Sequence, residues 1–402
     1  MPSLADFIKQ KIMIFRFLIF TMRICKDTWK HHDELLAWAE HQTNQKLKKS
    51  SQSRNNIYKD AQLLREKLTK KFKGLHKKSG LRILIHVPPS YLSPGGFSLF
   101  NNLLQGLQFV GIKADGLYWD DNFSEKLRHF KPNVLLTSDS PNYLAKIDWE
   151  ELRAYRQKHS LEIGLTASIE PRATIKDRIS AAQQRGVTFF YSFCSSQHIQ
   201  SFPAFSPFFQ AGYSVLSVEF GANPLLYFPI NNHRRDLPYI FLASSNADKW
   251  SRYFEYLPSV VNNVPGFIDG PGWFHLQKWA PPELHRFLYS RAKVGLNLHI
   301  PDSVLRPSEL NERTYILAAS GVPQLVDNAV LLRSHFPKEA FFVAKNPSEY
   351  RDLFFYMIEH PQEAQRRAQI ALKYVLQHHT SFHRASSFVQ QLTTMKKRNA
   401  HT

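Results

Sequence analysis

Two successive series of short apolar runs, each alternating with helix-like segments, constrain the fold of this chain more than any other feature. The first series begins at 81–87, an apolar, β-branched run that ends in Pro88-Pro89. Further strand-like runs lie at 111–117, 133–137, 162–166, 188–191 and 213–218, and helix-like segments lie between them at 97–109, 149–158 and 175–185. Such alternation is typical of a parallel sheet with helices on both faces, so we predict a Rossmann-like domain.

The alternation stops and then restarts. Residues 219–237 are polar and irregular, with Pro224 and Pro229, and are therefore the predicted linker. Strand-like runs follow at 239–243, 264–268, 293–298 and 321–326, with helix-like segments at 250–257, 281–290 and 310–320, and long helices after a cap signal at Asn346. We predict an α/β protein with a helical extension at 1–80, an N-terminal Rossmann-like domain at 81–230 and a C-terminal Rossmann-like domain at 231–402. Two such domains facing a central cleft define the GT-B fold.

Most of the positive charge lies at the N-terminus. The chain carries a formal net charge of +19, and residues 1–80 hold 18 basic against 7 acidic side chains. The apolar run 12–22 is interrupted by Arg16 and is too short to span a bilayer, which takes ~20 residues. Bulky apolar residues with lysine and arginine around them favour a helix over 9–30 that lies on an anionic membrane surface. The alternative is a core helix docked on the folded domains.

The two cysteines and the apolar run near the N-terminus indicate where in the cell the protein is expected. Residues 43–80 have the character of a charged helical linker. Cys25 and Cys194 are too few for a disulfide framework, and no signal-peptide cleavage site follows the apolar run. We therefore expect a cytoplasmic protein, peripheral on the inner face of the plasma membrane. Nucleic-acid binding is not expected, because the basic arm lacks interleaved aromatic residues after Tyr58 and no recognition motif is present.

Ordered motifs in residues 293–385 and just before them carry a resemblance to a known family. They are Leu288-Tyr289-Ser290-Arg291-Ala292-Lys293-Val294-Gly295-Leu296-Asn297-Leu298-His299, Leu310-Asn311-Glu312-Arg313-Thr314-Tyr315-Ile316-Leu317-Ala318-Ala319-Ser320-Gly321, Asp327, Leu331-Leu332, His360-Pro361 and His379-Thr380-Ser381-Phe382-His383-Arg384-Ala385. This half resembles CgeB-like, spore-maturation-protein-like glycosyltransferases. The resemblance implies metal-independent transfer of a hexosyl or deoxyhexosyl group from a nucleotide-sugar to a glycan, lipid-linked or protein acceptor, with no cofactor besides the donor.

One departure keeps a second function open. Related retaining enzymes place a ribose-binding glutamate where this chain has Ile316. The alternative is therefore a non-catalytic sugar-nucleotide or polysaccharide-binding protein of the same fold. A PLP-dependent phosphorylase is disfavoured because the chain is short and no lysine lies in a recognisable cofactor motif.

Candidate donor-binding residues follow the second series of strands. A metal-free pyrophosphate site needs backbone N–H groups and basic side chains, and Arg313 suits a phosphate because its guanidinium binds two oxygens at once. Its structural alternative is an ion pair with Glu309 or Glu312. Polar residues at strand ends and the next helix start are candidates for the sugar and phosphates, and Trp273 for the base. The predicted donor set is Ser244, Ser245, Lys249, Arg252, Gly272, Trp273, Asn297, His299, Glu309, Asn311, Arg313 and Thr314.

The first domain supplies the predicted acceptor side. Pro94, Gly95 and Gly96 join the first strand to its helix and permit close backbone approach. His86, Asp139 and Glu170 lie at strand ends and are the candidate catalytic bases, with structural roles as the alternative for each. No metal ligands are predicted.

Overall fold

The computed structural model describes residues 4–44, 58–167, 174–230, 234–245 and 247–399. Contacts between residues divide the chain into two units. The N-terminal sheet unit comprises Lys67–Asn223 and His379–Thr402, and the C-terminal sheet unit comprises Met1–Glu66 and Pro224–His378. Each sheet unit is therefore built from two separate stretches of the chain, and the chain passes between the units three times.

The N-terminal sheet unit contains a six-stranded parallel sheet in the order β2-β1-β3-β4-β5-β6. Its strands are β1 (Arg82–Val87), β2 (Lys113–Tyr118), β3 (Val134–Thr137), β4 (Glu162–Thr166), β5 (Phe189–Ser192) and β6 (Val215–Ser217). Its helices are α5 (Pro94–Phe109), α6 (Phe123–Phe130), α7 (Pro141–Leu144), α8 (Trp149–Lys158), α9 (Ile175–Gln184), α10 (Ser196–Ser201), α11 (Ser206–Gln210) and α20 (Ser381–Asn399), with a 3-10 turn at Pro203–Phe205. The first predicted Rossmann-like domain is thus present.

The last helix of the chain packs in this unit. On α20 the Phe382 ring stacks on Phe109 of α5 with centroids 3.8 Å apart. Gly106 permits this approach, since a Cβ there would come within 3.0 Å of the Ser381 carbonyl oxygen. At the sheet edge, Gln391 exchanges hydrogen bonds with the backbone of Ser217 in β6. The predicted donor domain 231–402 therefore includes a terminal helix that contacts place in the other unit.

The C-terminal sheet unit contains a five-stranded parallel sheet in the order β11-β10-β9-β7-β8. Its strands are β7 (Leu237–Leu242), β8 (Phe267–Asp269), β9 (Ala292–Asn297), β10 (Gln324–Asp327) and β11 (Phe342–Ala344). Its helices are α1 (Leu4–Arg23), α2 (Lys26–Lys30), α3 (His32–Asn44), α12 (Ala247–Tyr256), α13 (Pro258–Val261), α14 (Pro282–Arg291), α15 (Pro301–Leu305), α16 (Glu312–Ala319), α17 (Leu332–His335), α18 (Pro347–Glu359) and α19 (Pro361–His378), with a 3-10 turn at Lys338–Ala340. Helix α4 (Lys59–Phe72) begins in this unit and ends in the other.

The first three helices belong to the core of the C-terminal sheet unit. Phe17, Phe20 and Ile24 are buried in the same apolar cluster as strands β7 and β9. His32, at the start of α3, places its Nε2 2.9 Å from a carboxylate oxygen of Asp269 at the end of β8, and both side chains are buried. Residues 1–80 are therefore not a separate extension throughout. Within the predicted linker 43–80, α4 is helical, and residues 45–57 lie outside the described ranges.

Most predicted strands are present with shifted ends. The predicted run 264–268 becomes β8 at Phe267–Asp269, and the predicted run 213–218 becomes β6 at Val215–Ser217. Strand β11 was not predicted, because Phe342–Ala344 is short and shows no alternation over enough residues. Among the described helices, none combines the length and apolar character needed to cross a bilayer.

Candidate functional site

Each sheet has a topological switch point, where ligands bind outside the carboxyl ends of the strands. In the C-terminal sheet unit, β7 lies between β8 and β9, and the crossover changes direction between β7 and β9. The carboxyl ends there are Leu242 of β7 and Asn297 of β9. We call this region, with the residues that follow β7 and the start of α16, the candidate donor edge.

Arg313 lies at this switch point. It is in the first turn of α16, and its Nε donates to the carbonyl oxygen of Leu242 over 2.8 Å. Its Nη1 lies 3.5 Å from the side-chain oxygen of Asn297, and its guanidinium carbon lies 4.8 Å from the ring centroid of Phe241. Arg313 is 9% exposed and forms no ion pair within the described ranges. A buried guanidinium without a carboxylate partner is available for an anion.

Lys249 lies close enough to Arg313 and Glu309 for both charges to act on its pKa. Lys249 and Glu309 are partly buried, and neither forms an ion pair with a described residue. Burial, and then the positive charge of Arg313, lower the pKa of Lys249 to about 8. Burial raises the pKa of Glu309 to about 7, although the charge of Lys249 opposes the rise. Perturbed charges gathered at a strand edge are typical of a functional site.

A fully hydrogen-bonded frame lies behind these charges. Asn311 caps α16 by accepting from the Thr314 backbone N–H over 3.0 Å, and its amide donates to Asn297 and to the Leu298 carbonyl oxygen, each over 2.9 Å. The Asn297 amide donates to the Thr314 hydroxyl over 2.9 Å. His299 Nε2 lies 3.0 Å from the same hydroxyl. The predicted residues Asn297, His299, Asn311 and Thr314 are thus brought together, but their polar atoms are used in holding α16 against β9.

Asp327 completes the frame. Its buried carboxylate accepts from the His299 Nδ1 over 2.6 Å, from the His299 backbone N–H over 3.0 Å and from Arg252 over 3.0 Å. Burial alone would raise its pKa, but His299 and Arg252 hold that pKa below its ordinary value. Arg252 also lies 4.2 Å from the ring centroid of Tyr256. The structure therefore places Arg252 in a structural ion pair rather than among the available cations.

The loop after β7 is held by aromatic side chains. Ser245 donates its backbone N–H to Pro271 over 2.9 Å, and its carbonyl oxygen accepts the Trp250 indole N–H over 3.0 Å. Gly272 has φ +86°, and a Cβ there would lie 2.5 Å from the Ser245 hydroxyl oxygen. The backbone carbonyl oxygen of Ser244 accepts a hydrogen bond from the Tyr253 hydroxyl over 3.1 Å. The loop is thus positioned beside α12, and Asn246, between them, lies outside the described ranges.

Trp273 is a core residue. It is 2% exposed, its ring stacks on Tyr253 with centroids 6.0 Å apart, and its indole N–H donates to the Ala243 carbonyl oxygen over 2.7 Å. Phe17 of α1 lies 5.6 Å from it between ring centroids. The prediction of an aromatic surface for the donor base does not fit this position, because neighbouring rings cover the indole.

The N-terminal sheet unit has its own switch point between β1 and β3. His86 of β1 is 1% exposed, and its Nδ1 lies 2.9 Å from the hydroxyl of Thr137, which ends β3. Its Nε2 is buried and has no hydrogen-bond partner among the described residues. Burial, and then the nearby charge of Lys146, lower the pKa of His86 to about 4, so the ring is neutral at pH 7. Tyr143 lies edge-on to it, with centroids 5.4 Å apart.

The other candidate bases differ from His86. Asp139 accepts from Arg178 over 2.8 Å and from the Thr166 hydroxyl over 2.6 Å, so its carboxylate is held in a structural ion pair. Glu170 lies outside the described ranges. Of the two described candidates, His86 has the geometry closer to that role.

The predicted acceptor-side loop is the first turn of a helix. Pro94, Gly95 and Gly96 begin α5 after the N-cap residue Ser93. A Cβ at Gly96 would lie 2.6 Å from the Ser93 hydroxyl and 2.7 Å from the Tyr143 hydroxyl, whereas at Gly95 it would meet nothing within 4 Å. Only Gly96 is therefore required for close approach.

Sequence reasoning missed several residues of these edges. Asp327 was recognised in a motif but not assigned to the site, although it follows a predicted strand and a strand-end carboxylate is a usable signal. Ser308 precedes Glu309, and its hydroxyl is buried without a partner in the described part of the chain. Tyr143 and Trp119 beside His86 had no motif to mark them. In the described ranges, no three His, Cys, Asp or Glu side chains are grouped as a metal site.

Comparisons with known proteins address the fold and the family. Residues 254–390 match the sequence model of a family described as glycosyl transferase-like. Among solved structures, T4 phage BGT in complex with its UDP-glucose substrate is 12% identical with a TM-score of 0.52, over 78% of this chain and 99% of that chain. The T4 phage BGT complex with UDP and Mn²⁺ gives the same values. Anabaena HepE in complex with UDP-glucose is 12% identical with a TM-score of 0.52, over 78% of this chain and 100% of that chain.

The solved structures bear on the fold, and the family model bears on the activity. No curated protein sequence matches the chain. At 12% identity the solved structures show the fold alone, and they confirm the predicted GT-B fold. The family match confirms the glycosyltransferase prediction, while membership of the CgeB-like subfamily stays a prediction. By its fold and its glycosyl transferase-like segment, the chain is a GT-B glycosyltransferase.

Proposed function

We propose that the protein transfers a hexosyl or deoxyhexosyl group from a nucleotide-sugar to a hydroxyl of a glycan, lipid-linked or protein acceptor, without a metal ion. The observation that carries the proposal is Arg313, a buried guanidinium at the β7/β9 switch point that has no carboxylate partner in the described ranges. A donor pyrophosphate supplies the anion that this position lacks.

The charged side chains at the donor edge have different roles in this proposal; they belong to Lys249, Arg313 and Glu309. The two cations neutralise the diphosphate and stabilise the charge that develops on it as the glycosidic bond breaks. A divalent cation performs this task in other sites, and the cationic pair therefore supports the proposal of metal-independent transfer. When ionised, Glu309 accepts a hydrogen bond from a sugar hydroxyl. Because its pKa is raised to about 7, the protonated form is also present near neutral pH, and that form donates a hydrogen bond.

His86 is the proposed base on the acceptor side. Its neutral ring has a buried Nε2 without a described partner, and Thr137 holds the other ring nitrogen. A neutral imidazole accepts the proton of an attacking hydroxyl, provided that the acceptor reaches Nε2. The lowered pKa keeps the ring unprotonated across the working pH range.

Nucleotide binding gives the first test. Purified protein is heated with UDP, GDP, CMP or dTDP, and one of them is expected to raise the melting temperature, since ligand at 100 times its Kd stabilises by about 2.7 kcal/mol. Arg313→Ala is expected to weaken that nucleotide at least tenfold, equivalent to ~1.4 kcal/mol. Arg313→Lys keeps the charge but loses the forked geometry, and falls between the two.

Arg351→Ala is the matched control, because Arg351 is an exposed arginine of the same unit, paired with Asp352 on α18. It is expected to bind the nucleotide like the wild type. Equal loss in both arginine variants, or stabilisation by none of the nucleotides, contradicts the proposed donor site.

A second function rests on Ile316. This residue is 6% exposed on α16, so its apolar side chain offers no hydrogen bond to a ribose. The alternative is a protein that binds a sugar nucleotide or polysaccharide without turnover. Turnover of the donor separates the two functions. Release of nucleoside diphosphate that is unaffected by EDTA supports the metal-independent transferase. With an acceptor supplied, His86→Ala should lose the acceptor-dependent part of that release, whereas no release by the wild type supports the binding protein.

We also propose that the protein is cytoplasmic and peripheral on an anionic membrane. The support is the basic N-terminal segment, in which Lys9, Arg16 and Arg23 are exposed on α1. A lipid-linked acceptor would be encountered at that surface. Fractionation of cells into soluble and membrane pools, with and without a salt wash, tests the location.

A further inference from the structure

Helix α1 has an apolar stripe that faces away from the protein. Ile8, Ile12, Phe15 and Met22 are 48%, 53%, 63% and 70% exposed. They are spaced by four, three and seven residues, so at 3.6 residues per turn they lie along one side of the helix. The helix runs for 20 residues, roughly 30 Å. Exposed bulky side chains in a continuous row, unlike scattered ones, mark an interaction surface.

The opposite side of α1 is bound to the C-terminal sheet unit. Phe17 is fully buried and stacks on Trp250 of α12, with centroids 4.5 Å apart and ring planes within 6°. Phe20 lies edge-on to Phe254 at 5.8 Å. Phe17 follows Phe15 by two residues, which places it on a different face. The exposure of the stripe is therefore not a consequence of an undocked helix.

Basic side chains lie beside the stripe. Lys9, Lys11, Arg16 and Arg23 are all exposed, and no acidic residue occurs between Ile8 and Lys26. Periodicity places Lys11 on one flank of the stripe and Arg16 and Arg23 on the other. A helix with an apolar row between two basic flanks fits the boundary of an anionic bilayer, where apolar side chains enter the acyl region and cations meet phosphates.

We propose that this stripe is a membrane-docking surface that holds the C-terminal sheet unit, with its candidate donor edge, on an anionic lipid surface. Two tryptophans contact both helix α1 and the loop after β7 at the donor edge. Trp250, under Phe17, donates to the Ser245 carbonyl oxygen, and Trp273 donates to the Ala243 carbonyl oxygen. Helix α1 and the loop after β7 are thus parts of one packed cluster. The docking surface rests on the membrane location proposed above, and the role of that loop in donor binding rests on the proposed donor site.

Charge favours lipid over a second copy of this chain as the occupant. Two copies meeting through their stripes would bring the basic flanks of both helices together, and like charges that face each other across an interface repel. An anionic bilayer instead supplies phosphates to both flanks at once. The net charge of +19 acts in the same direction.

The full chain is tested by co-sedimentation with vesicles made of equal parts of phosphatidylcholine and phosphatidylglycerol. Ile12→Ser with Phe15→Ser is expected to lower the partition coefficient by about 100-fold, at about tenfold for each bulky apolar side chain withdrawn from the bilayer. Lys9→Gln with Arg23→Gln is expected to lower it by about 25-fold, and vesicles of phosphatidylcholine alone should bind weakly.

Leu75→Ser with Phe209→Ser is the matched control, since these aliphatic and aromatic side chains are 51% and 42% exposed on the other unit. This control is expected to sediment like the wild type. Melting temperature and nucleotide binding are measured on every variant, because the stripe variants should keep both. Loss of vesicle binding with retained nucleotide binding supports the docking surface, and retained vesicle binding by the stripe variant overturns it.

Further outcomes are also informative. If no protein binds a nucleotide, wild type included, the proposed donor site is refuted and the docking result is unaffected. If the wild type does not bind the vesicles, the proposed membrane location is refuted together with the docking surface, whereas equal binding by wild type and stripe variant refutes the docking surface alone. A wild-type dimer that becomes monomeric in the stripe variant, with vesicle binding unchanged, shows that a second copy occupies the surface and overturns the proposal.

Discussion

Replacement of Phe17 by alanine tests whether helix α1 is part of the core of the C-terminal sheet unit. Phe17 is fully buried, with the rings of Trp250, Trp273 and Phe274 at centroid distances of 4.5, 5.6 and 5.5 Å. Truncating a buried phenylalanine costs about 3–5 kcal/mol through lost transfer energy and the cavity left behind. That range already contains what is lost with the neighbouring rings, about 0.5–1.5 kcal/mol for each aromatic contact. We therefore expect Phe17→Ala to lose about 4 kcal/mol of unfolding free energy.

The matched control on the same helix is Phe15→Ala. Phe15 is 63% exposed, so its truncation should change the free energy of unfolding by less than about 0.5 kcal/mol. Urea unfolding followed by tryptophan fluorescence reports on the transition of this unit, because Trp250 and Trp273 contact Phe17. The reasoning is refuted if Phe17→Ala loses less than about 1 kcal/mol, or if the two variants lose the same amount.

Three more predictions concern the candidate site. Because the pKa of Glu309 is raised to about 7, this carboxyl stabilises the folded protein at low pH. The free energy of unfolding should fall as the pH rises from the ordinary pKa of a glutamate toward 7, and Glu309→Gln should flatten that slope in urea unfolding measured across pH. The pKa of Lys249, lowered to about 8, works in the other direction, so stability should recover as pH rises above 8, and Lys249→Met should abolish the recovery. Asp327→Asn leaves His299 and Arg252 without their buried carboxylate and should cost about 3–5 kcal/mol by thermal unfolding, whereas a loss below about 1 kcal/mol would show that the ion pair is not a structural support.

Local pattern was enough for the fold class and for part of the donor edge. Strand β9 could be predicted because a buried parallel strand is a short apolar run, and Asn297 ends that run where ligand-binding residues are expected. Asn311 was recognisable as a helix start, since its side-chain oxygen caps α16. Arg313 was singled out by its motif and by the geometry of its guanidinium.

Partners across the fold were beyond reach of the sequence. Arg252 and Lys249 lie one turn apart on α12 and have the same charge, yet Arg252 pairs with Asp327 on β10 and Lys249 has no ion-pair partner in the described ranges. Trp273 and Trp250 are both aromatic residues near the loop after β7. The burial of Trp273 depends on Phe17, which precedes it by more than two hundred positions.

The sequence by itself determined most of the elements: parallel strands from apolar runs, helices from periodicity and caps, and an N-terminal helix in which basic residues flank an apolar run. These properties are local, because they depend on residues within a few turns of one another. Only the tertiary structure decided that α1 has one buried and one exposed apolar face, that α20 returns to the first sheet, and which charges at the donor edge are paired. Burial and pairing depend on residues far apart in the chain, whose proximity is created by folding.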